Sequence, residues 1–199
     1  MQTKYSYWLF KGALLQKDRN KIKSIARKAG YREAKTMQDF SHLTNEGDEN
    51  VRSTDVAFSS DGYLYNTLCP FVHSANDQAG WKYDLDWFES VQIARYKKNQ
   101  HYAWHRDGAG DHFGVYSSDD RLGGKVRKVS LIACLSNGYV GGDLELALQQ
   151  QDEENQILYP EMGVGDVIVF PSYVFHRSTS ISKGTKYSAA MWCLGPPFR

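Results

Sequence analysis

The pair His105 and Asp107, separated by one residue, carries the clearest chemical signal in this sequence. On an extended strand, side chains two residues apart project from the same face, so this imidazole and this carboxylate can bind one ion together. They supply two thirds of a two-histidine, one-carboxylate ligand set, which leaves three coordination positions on the metal open. The pair therefore predicts a metal centre whose third ligand is a distant histidine.

His176 is the best candidate for that third ligand. Of the six histidines, it is the one that stands at the start of a predicted strand in the C-terminal half. A tight turn at Gly163 and Gly165 and a strand at residues 166–170 precede it, and residues 171–175 return the chain to the sheet. The complete ligand set would be the one that is typical of non-haem Fe(II) sites.

A zinc site is the alternative for the same stretch. His101 and His105 are four residues apart, as in the HExxH zinc motif on a helix. Tyr102 stands where that motif needs its catalytic glutamate, so zinc hydrolysis is disfavoured. The short pattern His-x-Asp is also common by chance, so the iron interpretation depends on other residues at compatible spacing.

Lys186 and Tyr96 are candidates for binding a small acid beside the metal. Lys186 lies among apolar residues of a predicted strand, where a buried ammonium is costly without a carboxylate partner. A bound dicarboxylic acid could be that partner, and the phenol of Tyr96 could donate a second hydrogen bond to the same carboxylate. The alternatives are a solvent-exposed lysine and an ordinary half-buried strand tyrosine.

Composition and charge narrow the class of protein. A chain of 199 residues with 41% hydrophobic content predicts one domain with one sizeable core. The net charge of +1 predicts no nucleic-acid partner and no binding to an anionic membrane surface. The chain lacks long apolar runs and signal-peptide features, so we expect a cytoplasmic protein. Cys69, Cys134 and Cys193 lack metal-site spacing and are expected to be reduced thiols.

Hydrophobic patterning predicts helices near the N-terminus and strands towards the C-terminus. Residues 14–29 have helical spacing followed by Gly30, and residues 63–79 are predicted to form a helix that Pro70 either kinks or begins. Strands are predicted at residues 51–59, 84–96, 127–135, 144–148, 167–170, 176–181 and 187–194. Such short, closely spaced strands indicate an antiparallel sandwich or barrel.

The metal and acid candidates belong to a longer pattern within residues 89–192. The pattern consists of Tyr96, Tyr102, His105, Asp107, Arg127, Gly141, Gly142, Gly163, His176, Lys186 and Trp192. It resembles the 2-oxoglutarate- and Fe(II)-dependent dioxygenases of the prolyl 4-hydroxylase type. The resemblance implies a double-stranded β-helix, a cupin-like jelly roll with the metal at its mouth. We therefore expect a mainly β single domain over residues 1–199, with residues 1–84 as a helical and mixed N-terminal support and residues 85–199 as the core.

The resemblance also implies a role for each of these side chains. His105, Asp107 and His176 would bind Fe(II), while Lys186, assisted by Tyr96, would pair with the distal carboxylate of 2-oxoglutarate. Four further residues would contact the substrate: Tyr102, Arg127, Trp192 and Glu89. Core packing for the two aromatic residues and solvent exposure for the two charged residues are the alternatives.

The activity implied is hydroxylation of prolyl residues in a peptide or protein, with consumption of O2, release of succinate and CO2, and ascorbate as reductant. Two predicted loops, residues 38–49 and 108–124, could fold over an extended substrate. The alternatives are hydroxylation of a free amino acid or other small molecule, a non-catalytic cupin-like binding module, and nucleic-acid demethylation of the AlkB type. The AlkB family has an arginine at the position that Trp192 occupies here. We expect a monomer or a small homo-oligomer.

Overall fold

The computed structural model describes residues 5–34, 52–108, 123–148 and 156–198. The helices within these residues are α1 (Gln16–Ala29) and α2 (Gly62–Gln78). The strands are β1 (Trp8–Phe10), β2 (Arg32–Glu33), β3 (Arg52–Ser53), β4 (Asp55–Ser59), β5 (Trp87–Phe88), β6 (Val91–Tyr96), β7 (His101–His105), β8 (Val126–Cys134), β9 (Val140–Gly141), β10 (Leu144–Leu148), β11 (Gln156–Leu158), β12 (Val167–Pro171), β13 (Phe175–Ser178), β14 (Ile181–Lys183) and β15 (Lys186–Gly195).

Helix α1 forms where apolar residues recur at helical spacing. Ile22, Ile25 and Ala26 are buried on one face of it. The helix ends at Gly30, whose φ of 84° favours a residue without Cβ and whose N–H donates to the carbonyl of Ala26. The predicted helix is confirmed, although it begins at Gln16.

Helix α2 is also confirmed. The side chain of Asp61 accepts a hydrogen bond from the backbone N–H of Tyr63 at 2.9 Å and caps the first turn. Pro70 lies inside the helix rather than in its first turn. Leu64 and Leu68, one turn apart, are fully buried, so this helix packs its apolar face against the sheet.

The strands form two antiparallel sheets that pack face to face. The larger sheet has the order β1-β12-β8-β15-β6-β4-β2, with β5 beside β15. The second has the order β11-β10-β13-β7-β3, and β9 pairs with β14 separately. Leu146 of the second sheet and Phe170 of the larger sheet share one buried apolar cluster, so their inner faces are in contact. The predicted jelly-roll core is confirmed.

The two faces of strand β8 have different neighbours. Val129 and Leu131 belong to the buried cluster that also contains Ile22 and Leu68 of the helices. Ile132 points the other way and packs against the cluster between the sheets. The helices therefore support the larger sheet from outside, and the space between the sheets remains for a site.

Two predicted strands in the N-terminal half of the chain are each divided in the structure. Residues 84–96 contain β5 and β6 separately, so the prediction of one long strand is wrong. Residues 51–59 contain β3 and β4, which join different sheets. Between them, the buried hydroxyl of Thr54 donates to the carbonyl of Arg95 at 3.0 Å. This tertiary contact accompanies the crossing, and the continuous β propensity of the segment does not indicate it.

The predicted strand at residues 176–181 is also divided, because β13 and β14 belong to different sheets. Strands β1, β2 and β11 were not predicted, and each lies at the edge of a sheet, where a short strand has only one neighbour. The predicted loop at residues 38–49 and most of the one at residues 108–124 lie outside the described residues. Neither described helix has the length and apolarity needed to cross a bilayer.

Candidate metal centre

Two adjacent strands of the second sheet bring the two histidines together. His105 is the last residue of β7 and His176 is the second residue of β13, and the strand register places them directly opposite each other. Directly opposed residues of antiparallel strands project from the same face. Their ring centroids are accordingly 4.1 Å apart.

Asp107 completes the group just beyond the end of β7. Its backbone N–H donates at 3.1 Å to the carbonyl of Ser172, which lies between β12 and β13. Its carboxylate oxygens lie 3.7 Å from Nε2 of His105 and 3.4 Å from Nε2 of His176. Ligand atoms about 2.1 Å from one ion and at right angles to each other would be about 3 Å apart. The three side chains, whose ligand atoms all lie within 4.8 Å of one another, therefore fit a single metal ion.

Both imidazoles are held in the tautomer that a metal needs. Nδ1 of His105 lies 2.8 Å from the carbonyl oxygen of Ala103, and Nδ1 of His176 lies 3.0 Å from that of Val174. A carbonyl can only accept, so each Nδ1 carries the proton and each Nε2 keeps its lone pair. The lone pairs are on the side of Asp107.

The charge states of these groups also suit a cation. Burial lowers the pKa of His105, and neighbouring His176 lowers it further, so the imidazole is neutral. Burial alone would raise the pKa of Asp107, but His176, His105 and Arg127, with a hydrogen bond from Ser130, hold it below its usual range. Neutral imidazole and ionised carboxylate are the forms that bind metals.

The three metal-ligand candidates line a cavity, and Lys186 lies deep in it. Lys186 is opposite Tyr96 in the register of β15 and β6. Its Nζ donates to the carbonyl of Gly142 at 2.5 Å and to the hydroxyl of Ser178 at 3.0 Å. No carboxylate of the described residues lies within ion-pair distance of it, and burial lowers its pKa to about 8. Lys186 is thus buried, as its apolar neighbours in the sequence predicted, and its role in binding an acid stays a prediction.

Gly142 shapes the space around this lysine. It has a φ of 70°, and a Cβ there would lie 3.1 Å from Cδ of Lys186 and 2.3 Å from Cδ1 of Ile181. Glycine permits both the backbone turn and the close approach of the lysine stem. The turn aims the carbonyl of Gly142 at the ammonium group.

Two tyrosines border the centre. The ring of Tyr102 stacks on the imidazole of His105 with centroids 3.5 Å apart, and burial raises its pKa to about 12. The ring of Tyr96 lies 5.5 Å from Nζ of Lys186, and burial raises its pKa also. Both phenols are therefore neutral hydrogen-bond donors at physiological pH.

The two charged residues that were predicted to contact substrate bind each other. Arg127 donates to the two carboxylate oxygens of Glu89 at 2.5 and 2.6 Å. The same guanidinium donates to the carbonyl of Asp107 at 3.2 Å and lies 4.2 Å from the ring of Trp192. Trp192 lines the cavity, and its buried indole N–H finds no acceptor in the described part of the chain. Arg127 thus connects the metal-side loop to the predicted substrate residues.

This ion pair leads to a prediction about stability. Glu89→Ala and Arg127→Ala should each lower the free energy of unfolding. Either single change already removes both hydrogen bonds of the pair. The double variant should therefore lose about 1–2 kcal/mol less than the sum of the two single losses. Urea unfolding of the four proteins measures this. The exposed pair Lys82 and Asp77 is the control, for which we expect almost no coupling. Additive effects at Glu89 and Arg127 would show that the pair contributes no coupling.

Sequence reasoning missed several residues of this site. Arg52 lies 4.5 Å from the ring of Tyr102, and two of its buried nitrogens have no partner among the described residues. Ser130 and Ser178 contact Asp107 and Lys186 respectively. Ser130 had one available signal, since it is a polar residue between apolar ones in a predicted strand, whereas Arg52 had none.

A model of the 2OG-Fe(II) oxygenase superfamily matches residues 91–194. This range contains the three metal-ligand candidates, Lys186 and Tyr96. No curated protein matches the chain.

Solved structures with a similar fold include three hydroxylases. The viral collagen prolyl hydroxylase of Paramecium Bursaria Chlorella virus-1 has a TM-score of 0.61 at 20% identity, over 96% of this chain and 97% of that one. A Pseudomonas putida prolyl-4-hydroxylase has a TM-score of 0.66 at 18% identity, over 95% and 92%. A Trichoplax adhaerens prolyl hydroxylase, solved with a hypoxia inducible factor peptide, has a TM-score of 0.67 at 14% identity, over 94% and 83%. At these identities the likeness concerns the fold.

Proposed function

Because this chain belongs to the 2OG-Fe(II) oxygenase superfamily and is a 2-oxoglutarate-dependent dioxygenase, we propose that it hydroxylates prolyl residues in a peptide or protein. The observation that carries the proposal is the convergence of His105, Asp107 and His176 in the cavity that holds the buried ammonium of Lys186. The metal group fits Fe(II), and the lysine fits the far carboxylate of the co-substrate.

His105, Asp107 and His176 would hold the iron through two Nε2 atoms and one carboxylate. The hydrogen bonds from Nδ1 to the carbonyls of Ala103 and Val174 keep both rings oriented. Such a ligand set would leave positions open for 2-oxoglutarate to bind beside the three side chains.

Lys186 would bind the distal carboxylate of 2-oxoglutarate. An ammonium has three donors, and Gly142 and Ser178 accept two of them, so one N–H remains for a ligand. The phenol of Tyr96 is the candidate for a second hydrogen bond. A bound carboxylate would also supply a negative charge within ion-pair distance of this buried lysine, which no described residue supplies.

When bound, iron and 2-oxoglutarate supply the oxidation, in which one oxygen atom of O2 enters the substrate C–H bond and the other enters succinate, with release of CO2. The side chains of this chain orient the reactants and exclude water. His176 is 3% exposed and Lys186 is 7% exposed, which keeps bulk water from both ends of the co-substrate.

Prolyl substrates are favoured by what the structurally similar enzymes are named for. In this chain, Tyr102 and Trp192 offer aromatic surfaces beside the metal ligands. The indole N–H of Trp192, which has no acceptor among the described residues, can donate to a peptide carbonyl. The pair of Glu89 and Arg127 would contact the substrate from the same side as Trp192. Hydroxylation of a free amino acid or other small molecule is the alternative that the test must distinguish.

The test is incubation of the protein with a library of proline-containing peptides, Fe(II), 2-oxoglutarate and ascorbate, followed by mass spectrometry. We expect one oxygen atom to be added to a prolyl residue and an equal amount of succinate to form. Succinate formation without any modified peptide would contradict the peptide substrate and favour a small molecule. The need for ascorbate is measured by omitting it.

Binding of 2-oxoglutarate should depend on pH through Lys186. Its pKa in the free site is lowered to about 8, and a bound carboxylate would raise it. Binding should therefore take up a proton, and the affinity should fall by up to about tenfold per pH unit above about pH 8. Calorimetry with Mn(II)-loaded protein, in buffers of different ionisation enthalpy, measures both effects. Proton uptake that persists in Lys186→Met would assign it to another group.

A further inference from the structure

Two buried serines lie beside Asp107. Ser130 is in the middle of β8 and Ser172 follows the last residue of β12, and they are 1% and 0% exposed. Ser130 pairs with Trp192 in the register of β8 and β15 and shares a face with Ile132, which lines the cavity. A polar side chain on this inner face therefore points at the site.

These serines form a chain of hydrogen bonds that ends at the carboxylate. The two hydroxyl oxygens are 2.9 Å apart. The hydroxyl of Ser130 also lies beside the side chain of Asp107 and, as a potential donor, helps to hold the pKa of that carboxyl below its usual range. An ionised carboxylate can only accept, so Ser130 donates to Asp107 and must itself accept the proton of Ser172.

The backbone of Ser172 binds the same loop. Its carbonyl accepts from the N–H groups of Asp107 at 3.1 Å and Gly108 at 3.0 Å, and its own N–H donates to the carbonyl of Lys128 at 3.0 Å. Ser172 thus holds the backbone at Asp107, and the hydroxyl of Ser130 lies at the carboxylate of the same residue. Both serines belong to the larger sheet or its margin, whereas the two histidines belong to the second sheet.

We propose that Ser130, oriented by Ser172, is the positioning residue that holds the Asp107 carboxylate in its metal-binding orientation. The inference rests on the proposed iron site. It gives the larger sheet a direct role in that site, because the Ser130 hydroxyl on β8 aligns Asp107, which directly follows β7 of the second sheet. Without this hydroxyl the carboxylate keeps its charge and its backbone position but loses the hydrogen bond that fixes its rotation.

The experiment measures metal affinity rather than turnover. The full-length metal-free protein is titrated with Co(II), whose visible absorption reports the ligand geometry. Ser130→Ala should raise the dissociation constant for Co(II) by about 10–100-fold. This is the typical cost of losing an outer hydrogen-bond partner of a metal ligand. Ser130→Thr, which keeps the hydroxyl, should stay within about threefold of the unmodified protein on the same scale.

Ser136→Ala is the matched control. Its hydroxyl oxygen accepts from the N–H of Tyr187 at 2.8 Å, so the change removes a structural hydrogen bond of a serine just beyond the end of β8. Its Co(II) affinity and spectrum should be unchanged. Ser172→Ala leaves Ser130 in place but removes its partner, and it should weaken Co(II) binding by an intermediate factor. This second variant tests the same chain of hydrogen bonds if Ser130→Ala does not fold.

Tight Co(II) binding by the Ser130→Ala variant, or by Ser172→Ala where that variant replaces it, would overturn the positioning role and leave the iron site standing. An equal loss in Ser136→Ala would overturn it too, because the effect would then be a general loss of packing. Failure of the unmodified protein to bind Co(II) would instead overturn the proposed metal site itself.

Discussion

Replacing His105 with alanine should abolish 2-oxoglutarate turnover. The imidazole provides one of the three candidate ligand atoms, and its loss leaves one histidine and one carboxylate, too few to hold iron in a defined geometry. Because changes to outer partners of a ligand already cost about 10–100-fold, loss of the ligand should reduce succinate formation by about 1000-fold or more. The assay is succinate release with Fe(II) and saturating 2-oxoglutarate.

His73→Ala is the control for this result. His73 is exposed on α2, where its ring packs against Phe88 with centroids 5.6 Å apart, and it contributes no ligand atom to the site. This variant should keep the activity of the unmodified protein. Thermal unfolding of the metal-free proteins should show that His105→Ala is folded. Full turnover in folded His105→Ala would refute the assignment of this site.

Replacing Lys186 with methionine should weaken 2-oxoglutarate binding by about 100-fold. A hydrogen bond to a charged group contributes about 1.5–3 kcal/mol, and each 1.4 kcal/mol is about tenfold in affinity. Methionine keeps most of the volume of the lysine stem but has neither charge nor donor. The KM for 2-oxoglutarate and its dissociation constant from calorimetry should both rise, while Co(II) affinity stays unchanged.

The stability of the same variant should not fall together with its affinity for 2-oxoglutarate. Lys186 is buried with no carboxylate of the described residues in ion-pair distance, so the ligand-free protein bears the cost of desolvating an ammonium. Lys186→Met removes that cost and should not lower the melting temperature of the ligand-free protein. Lys183→Met, at an exposed position of β14, is the control and should leave 2-oxoglutarate affinity unchanged. An unchanged KM in Lys186→Met would exclude this lysine as the anchor.

The local parts of the fold were predictable because they depend on short-range patterning. Helices α1 and α2 follow from apolar residues at helical spacing, and β10 and β12 follow from compact apolar runs. The divided strands were not predictable from such patterns. At Thr54, where the chain leaves one sheet for the other, the hydroxyl donates to the carbonyl of Arg95, a residue far away in the sequence.

The pairing of the predicted substrate residues was likewise not predictable from local sequence patterns. Glu89 and Arg127 were predicted as separate contacts, but the structure pairs them. Their substrate roles remain predictions, now with the condition that any substrate meets an ion pair rather than two independent charges. Arg52 entered the site with no sequence signal, because only the pairing of β3 with β7 brings it to Tyr102.

The amino-acid sequence by itself determined the chemistry that this chain can perform: an imidazole and a carboxylate two residues apart, a later histidine, and a lysine among apolar neighbours. Side-chain type and alternation along a strand are local properties, so they can be read without a fold. The tertiary structure alone decided that His176 lies opposite His105, that Gly142 and Ser178 receive Lys186, and that Ser130 reaches Asp107. These contacts depend on strand register and sheet packing, in which each strand is placed by the burial and hydrogen bonding of all the others.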